Sequence, residues 1–131
     1  ITLYTVGAIK DIPGIKKYVA IDGGMFDNPR YALYESKYTP ILANRADEEA
    51  TEIVSIAGKC CESGDLIAVN VSLPVVKIGD LLAILSTGAY NYSMASNYNR
   101  NFVPSVVMVK DSESRVVIKG QTVEDLLRND V

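Results

Sequence analysis

Four short clusters hold the residue types on which catalysis draws. The first, Asp22-Gly23-Gly24-Met25-Phe26-Asp27-Asn28-Pro29-Arg30, leads to Tyr34. Paired glycines after a strand permit a sharp turn or the close approach of another backbone. Pro29 restricts Asn28 to extended geometry. Read as an extended run, the segment puts Arg30, Ala32 and Tyr34 on one face, because strand side chains alternate with period two. A guanidinium and a phenol on one face can clamp a carboxylate, the guanidinium through two bonds and the phenol through one more. The same residues also describe a surface arginine beside an interface tyrosine.

The second cluster is Cys60-Cys61-Glu62-Ser63-Gly64-Asp65. Neighbouring carboxylates disfavour a thiolate, so a thiol here suits proton donation better than nucleophilic attack. The plainer alternative is a pair of small buried hydrophobes before a turn. The third and fourth clusters are Ser86-Thr87-Gly88-Ala89-Tyr90 and Tyr92-Ser93-Met94-Ala95-Ser96-Asn97-Tyr98-Asn99. Small residues ahead of Tyr90 let a ligand approach the backbone and meet the phenol.

Composition narrows the chemistry. The 131 residues contain no histidine, which excludes Ser-His-Asp and Cys-His nucleophiles and the HExxH zinc site. The two cysteines are adjacent, and consecutive Cα atoms lie only ~3.8 Å apart, so a bridge between them is strained and free thiols in a reducing compartment, the cytoplasm, are expected. Two thiols alone make a poor zinc site, so no metal is expected. A net charge of −3 argues against nucleic-acid or anionic-membrane partners. No apolar run approaches the ~18 residues of a membrane-spanning helix. The length suits one domain, residues 1–131, with a core that needs no staples. The chain opens on Ile1 inside a strand pattern, so a piece of a longer polypeptide is expected.

The elements that must position these clusters are mostly short strands. Strands are expected at Ile1–Lys10, closed by the turn Asp11-Ile12-Pro13-Gly14, and at Tyr18–Ile21, with further candidates at Tyr31–Tyr34 and Tyr38–Ala43. Asp47–Glu52 reads as a solvated loop. Ile53–Gly58 reads as a strand, and Leu66–Val71, apolar on both parities, as a strand covered on both faces. Leu81–Leu85 fits strand or helix. Ser105–Lys110 and Arg115–Lys119 flank Asp111-Ser112-Glu113-Ser114, a hairpin signal. Tyr92–Asn97 fits one helical turn with Asn99 as a stop, and Thr122-Val123-Glu124-Asp125 resembles a capping box opening a C-terminal helix over Val123–Arg128. Many short strands with few helices indicate an all-β, mainly antiparallel Greek-key-like barrel or sandwich.

Taken together and in order, Asp22-Gly23-Gly24-Met25, Asn28-Pro29-Arg30, Tyr34, Cys61-Glu62-Ser63-Gly64-Asp65, Gly88-Ala89-Tyr90 and Tyr98-Asn99 resemble the C-terminal β-domain of the pyridoxal-phosphate-dependent ornithine/diaminopimelate/arginine decarboxylases. The pentapeptide is the most specific element. Ornithine-type members usually carry aspartate after the cysteine, so Glu62 points to the diaminopimelate branch. Cys60 departs from the histidine found in many members.

The resemblance implies a two-domain parent with an N-terminal (β/α)8 barrel, and a head-to-tail homodimer with active sites at the subunit interface. It implies pyridoxal 5'-phosphate as cofactor, with the Schiff-base lysine in the barrel and outside this chain. No lysine here has a claim to that role. Lys59, the nearest to the pentapeptide, reads as a loop charge. The reaction implied is decarboxylation of meso-2,6-diaminopimelate to L-lysine and CO2, with this chain inactive alone. By position, Cys61 resembles the proton donor and Glu62 the contact for the substrate ammonium, both reaching into the partner subunit's site, and Arg30 and Tyr34 resemble substrate contacts. Tyr90 resembles the residue that touches both cofactor and substrate. Asp65 reads as structural, holding the pentapeptide turn. The competing readings are the same domain of another basic-amino-acid decarboxylase, or a non-catalytic β-domain for dimerisation or binding.

Overall fold

The hairpin that opens the chain is specified locally. In the computed structural model, which describes residues 1–131, β1 (Thr2–Ile12) turns into β2 (Lys16–Ile21) through Pro13 and Gly14, and Ile15 N–H donates to Ile12 O at 2.9 Å. Gly14 has φ +73°, the left-handed conformation a type II turn requires after proline. The strand thus outlasts the expected end at Lys10, because the turn is built on Ile12–Ile15 and not on Asp11–Gly14.

β3 (Pro40–Leu42), β4 (Glu52–Ala57), β5 (Leu66–Leu73) and β6 (Leu81–Ile84) complete a six-stranded sheet of order β3-β6-β1-β2-β4-β5. β3 also approaches β5, so the sheet nearly closes on itself. This is the all-β, mainly antiparallel, barrel-like fold expected from the pattern. Its core is aliphatic, with Val6, Val19, Ile56, Ile67, Leu82 and Ile84 at most 1% exposed. Pairing with β1 on one side and β3 on the other makes Leu81–Ile84 a strand, a choice its own periodicity left open.

One pair breaks the antiparallel rule. β2 and β4 run parallel, with Tyr18 opposite Ser55 and Ala20 opposite Ala57. Parallel neighbours need a long crossover. That crossover, residues 22–51, carries the Gly-Gly turn and Arg30. Within it, α1 (Arg30–Tyr34) is a helix, which corrects the expected strand at Tyr31–Tyr34 and the single strand face for Arg30, Ala32 and Tyr34. Arg-Tyr-Ala-Leu-Tyr has no β-branched residue, and Pro29 stands at the helix entry, where its missing N–H costs nothing. Glu35 in the left-handed conformation ends the helix, its N–H reaching Arg30 O and Tyr31 O.

The acidic run is exposed only through Thr51. Glu52 opens β4 half-buried, paired with Lys17 and accepting from Val76 N–H at 2.8 Å, which corrects its placement in a solvated loop. β5 is covered on both faces only in its first half. Asn70 (φ +53°) interrupts the pairing opposite Ser55, whose Oγ accepts its N–H at 3.2 Å, and beyond it burial alternates. The second sheet is the hairpin β7 (Val106–Lys110) and β8 (Glu113–Ile118), closed by Asp111 and Ser112 alone, both at positive φ as a two-residue type I′ turn demands, so Glu113 and Ser114 belong to the strand and not to the expected turn. The chain ends in α3 (Val123–Leu127), where Thr122 and Asp125 form the expected capping box.

Candidate active site

The Gly-Gly segment leaves β2 and is held from three sides. Asp22 exchanges hydrogen bonds with Thr5, its N–H donating to Thr5 O at 3.2 Å and its Oδ1 accepting Thr5 N–H at 2.8 Å. A side chain at Gly23 would strike the Tyr4 ring, and one at Gly24 would stand 2.6 Å from Asp65 Oδ2. Tyr4 and Asp27 are buried together, Tyr4 Oη donating to Asp27 Oδ1 at 2.5 Å. Burial pushes the Asp27 carboxyl up to about 6, outweighing the Tyr4 and Gly24 donors that favour its charged form. Burial pushes the Tyr4 phenol up as well, so it stays protonated and available as a donor.

The turn Gly24–Asn28 delivers the chain into α1. Arg30 and Tyr34 stand four residues apart on one helix face, so the pairing expected from a strand is achieved by a different spacing. The Arg30 guanidinium lies 5.6 Å from the Tyr34 ring centre and 5.0 Å from that of Tyr90. Both are cation–π distances. Tyr90 precedes α2 (Asn91–Met94), a single turn within which Met94 N–H returns to Tyr90 O at 3.1 Å. It begins one residue earlier than expected and ends three earlier. Arg45, Arg100 and Arg128 are each paired with a carboxylate, whereas Arg30, like Arg115 on β8, has no anionic partner.

The pentapeptide forms a second group. Asp65 N–H closes a turn onto Glu62 O at 3.0 Å, presenting Cys61 to solvent and Glu62 half-exposed. Tyr98 Oη donates to Glu62 Oε1 at 2.5 Å, and Asn99 Nδ2 donates to Glu62 Oε2 at 3.3 Å. The Tyr98 bond is the main cause holding the Glu62 carboxyl below its ordinary range, and the same bond pushes the Tyr98 phenol up to about 12. Cys61 Sγ lies 3.9 Å from Glu62 Oε1 and 3.8 Å from Asn99 Nδ2. Both cysteines are free thiols. Burial first, then the Asp65 and Glu62 charges, pushes Cys60 up to about 11.

The five residues singled out from sequence thus fall into two sets, Arg30, Tyr34 and Tyr90 in one and Cys61 with Glu62 in the other. No hydrogen bond joins a side chain of one set to the other. Tyr98 and Asn99, the partners of Glu62, belong to the motifs that carry the resemblance but carry no expected role in the site. They lie on a 3-10 turn (Tyr98–Arg100) in which Asn99 and Arg100 both take positive φ, anchored by Arg100 to Asp130 at 2.6 Å. Apart from that motif the local hint is Asn99 itself, since asparagine tolerates the left-handed conformation it adopts.

A nearly closed, mainly antiparallel sheet that carries a Gly-Gly turn and a thiol-carboxylate turn side by side defines a class. The family model described as pyridoxal-dependent decarboxylase, C-terminal sheet domain, matches residues 1–88, and the chain belongs to that family. Among its relatives are the diaminopimelate decarboxylase of Bacillus subtilis, 55% identical over 99% of this chain, and that of Staphylococcus aureus, 60% identical over the same share. The chain spans about 30% of the length of each. A crystal structure of diaminopimelate decarboxylase from M. jannaschii superposes with a TM-score of 0.91 at 38% identity, over 98% of this chain and 29% of that one.

Proposed function

We propose that residues 1–131 serve as the C-terminal domain of a diaminopimelate decarboxylase, in a cytoplasmic homodimer whose N-terminal (β/α)8 barrel holds pyridoxal 5'-phosphate. The substrate is meso-2,6-diaminopimelate, and the products are L-lysine and CO2. The observation that carries this reading is a pair of free charges beside a thiol. Arg30 is a cation with no anion, and Glu62 is an anion kept ionised by Tyr98 and Asn99 with no cation. Diaminopimelate carries one carboxylate and one ammonium at the end remote from the reaction, and these two side chains complement them. Tyr34, beside Arg30, adds a hydroxyl for the same carboxylate.

The cofactor supplies the electron sink that lets CO2 leave. The residues here suit the rim of its site and not its anchor. Tyr90 presents an exposed phenol two residues after Gly88, where even an added Cβ would meet nothing. The nearest lysine to the pentapeptide, Lys59, holds its ammonium 5.5 Å from the Phe26 ring. Cys61 carries out the step assigned to this chain: its Sγ–H passes a proton to the carbon that has lost CO2, and solvent restores the thiol. A neutral acid is needed for that transfer.

In the complete protein, Cys61→Ala should lower kcat by on the order of 10²-fold or more while KM for diaminopimelate stays near its starting value. A variant with near-normal kcat removes Cys61 from the acid role. Under this reading the isolated chain has no decarboxylase activity, since it lacks the anchoring lysine.

A further inference from the structure

Two consecutive residues do not ordinarily reach one carboxylate. Neighbouring side chains point to opposite faces of a strand, and on a helix they do not face each other either. Yet Tyr98 Oη meets Glu62 Oε1 at 2.5 Å and Asn99 Nδ2 meets Oε2 at 3.3 Å. The backbone departs from both regular forms at Asn99, left-handed at φ +53°, and again at Arg100, φ +54°. Arginine seldom adopts that conformation, and such strain persists only where surrounding contacts over-determine it.

Those contacts come from the two ends of α3. The helix buries no residue, and every hydrogen bond that ties residues 119–131 to the remainder of the chain ends on residue 97, 100 or 103. Ahead of the helix, Gln121 Oε1 accepts Asn97 Nδ2 at 2.5 Å and Val103 N–H at 2.9 Å. Gln121 Nε2 donates back to Asn97 Oδ1 at 3.4 Å, and its N–H to Val103 O at 3.1 Å. Behind the helix, Asp130 takes the Arg100 guanidinium through both nitrogens, Nη1 at 2.6 Å and Nη2 at 3.1 Å, the geometry in which such pairs are strongest. Asn97 and Arg100 flank Tyr98 and Asn99 directly. We propose that Gln121 and Asp130 are positioning residues that hold Tyr98 and Asn99 on the Glu62 carboxylate. This rests on the role proposed above for Glu62 as the contact for the substrate ammonium, through which they act. All these groups lie on the chain that carries Glu62, and together they serve the one site into which that carboxylate reaches, the partner subunit's.

The test uses the complete, cofactor-loaded enzyme. The double variant Gln121→Ala/Asp130→Ala should raise KM for diaminopimelate by about fivefold, as expected when Glu62 loses a partner, with kcat changing less than about twofold. An unchanged KM, or a loss confined to kcat, overturns the proposal. In a Tyr98→Phe/Asn99→Ala background the same pair of changes should add less than about twofold to KM, because the groups it positions are gone. An undiminished rise there marks α3 as a general stabiliser and overturns the proposal. If Glu62→Gln itself leaves KM near its starting value, the ammonium-contact reading fails separately, and a crystal structure of Gln121→Ala/Asp130→Ala decides. In it, Tyr98 Oη or Asn99 Nδ2 should have left hydrogen-bond distance of the carboxylate, and both remaining in place overturns the proposal. Should the double variant fail to fold, Asp130→Asn, which removes the charge and keeps the shape, enters the same comparisons. Failure of that variant as well assigns α3 to folding alone and overturns the proposal.

Discussion

Glu62 is the residue whose environment does most to define its chemistry. A half-exposed glutamate in water samples many rotamers, whereas here Tyr98 and Asn99 each hold one carboxylate oxygen and keep the group charged. Tyr98→Phe removes the stronger of those bonds without changing the shape of the ring. Loss of that bond should raise KM for diaminopimelate by about fivefold, with kcat changing less. The pH dependence has a definite sign. Tyr98 lowers the Glu62 carboxyl, so in the variant it rises, more of it is protonated at a given acidic pH, and the acid limb of kcat/KM moves to higher pH. An unshifted acid limb excludes Glu62 as the group read there.

At the scale of elements, the turn into β6 shows how a loop is fixed from outside its own sequence. Asp80 is 5% exposed and accepts from Arg45 Nε at 3.2 Å and Nη2 at 2.5 Å, from Asn44 Nδ2 at 3.1 Å and from Lys77 N–H at 2.8 Å. Arg45 chiefly, with the other donors, holds its carboxyl at about 2. Because the folded value lies below the unfolded one, this contribution is fully present above about pH 4 and is lost as pH falls through about 2. Asp80→Asn should cost about 2 kcal/mol near neutral pH, the scale for losing a hydrogen bond to a charged group. Protection of the Leu82–Ile84 amides from hydrogen exchange in the complete protein should fall between pH 4 and 2, and the variant should be low and flat across that window. The single turns α1 and α2 are comparably dependent on context, too short to be stable on propensity.

At the scale of the whole molecule, the proposed dimer makes a prediction that no single chain can. If Cys61 and Glu62 reach into the partner's site, each site draws on two chains. Mixing Glu62→Ala protein with a variant lacking the anchoring lysine then yields heterodimers in which one site is doubly defective and the other intact. Random exchange makes half the dimers mixed, so about a quarter of wild-type activity should return. With subunit exchange demonstrated by mass, a mixture that stays inactive places all site residues within one chain. Sharing of that kind would cover the open face of the site, where Cys61, Tyr34 and Tyr90 are all exposed in the single chain.

What the sequence determined by itself is local. Pro13-Gly14 and Asp111-Ser112 dictate their turns through backbone conformations few residues adopt, and Thr122 with Asp125 writes the start of the last helix, each signal complete within four residues. The types present in the site were legible in the same way, since a lone thiol-glutamate pair and an arginine near tyrosine restrict the chemistry wherever they lie. The conformation of Arg30–Tyr34 was not, because five residues with mixed preferences are settled by what the crossover between two parallel strands allows. Nor was the grip of Tyr98 and Asn99 on Glu62, across 36 and 37 residues, or the bond of Asp65 to Met25 across 40. Hydrogen bonds at that separation carry no periodicity along the chain, and only the closing of the sheet brings their partners within reach.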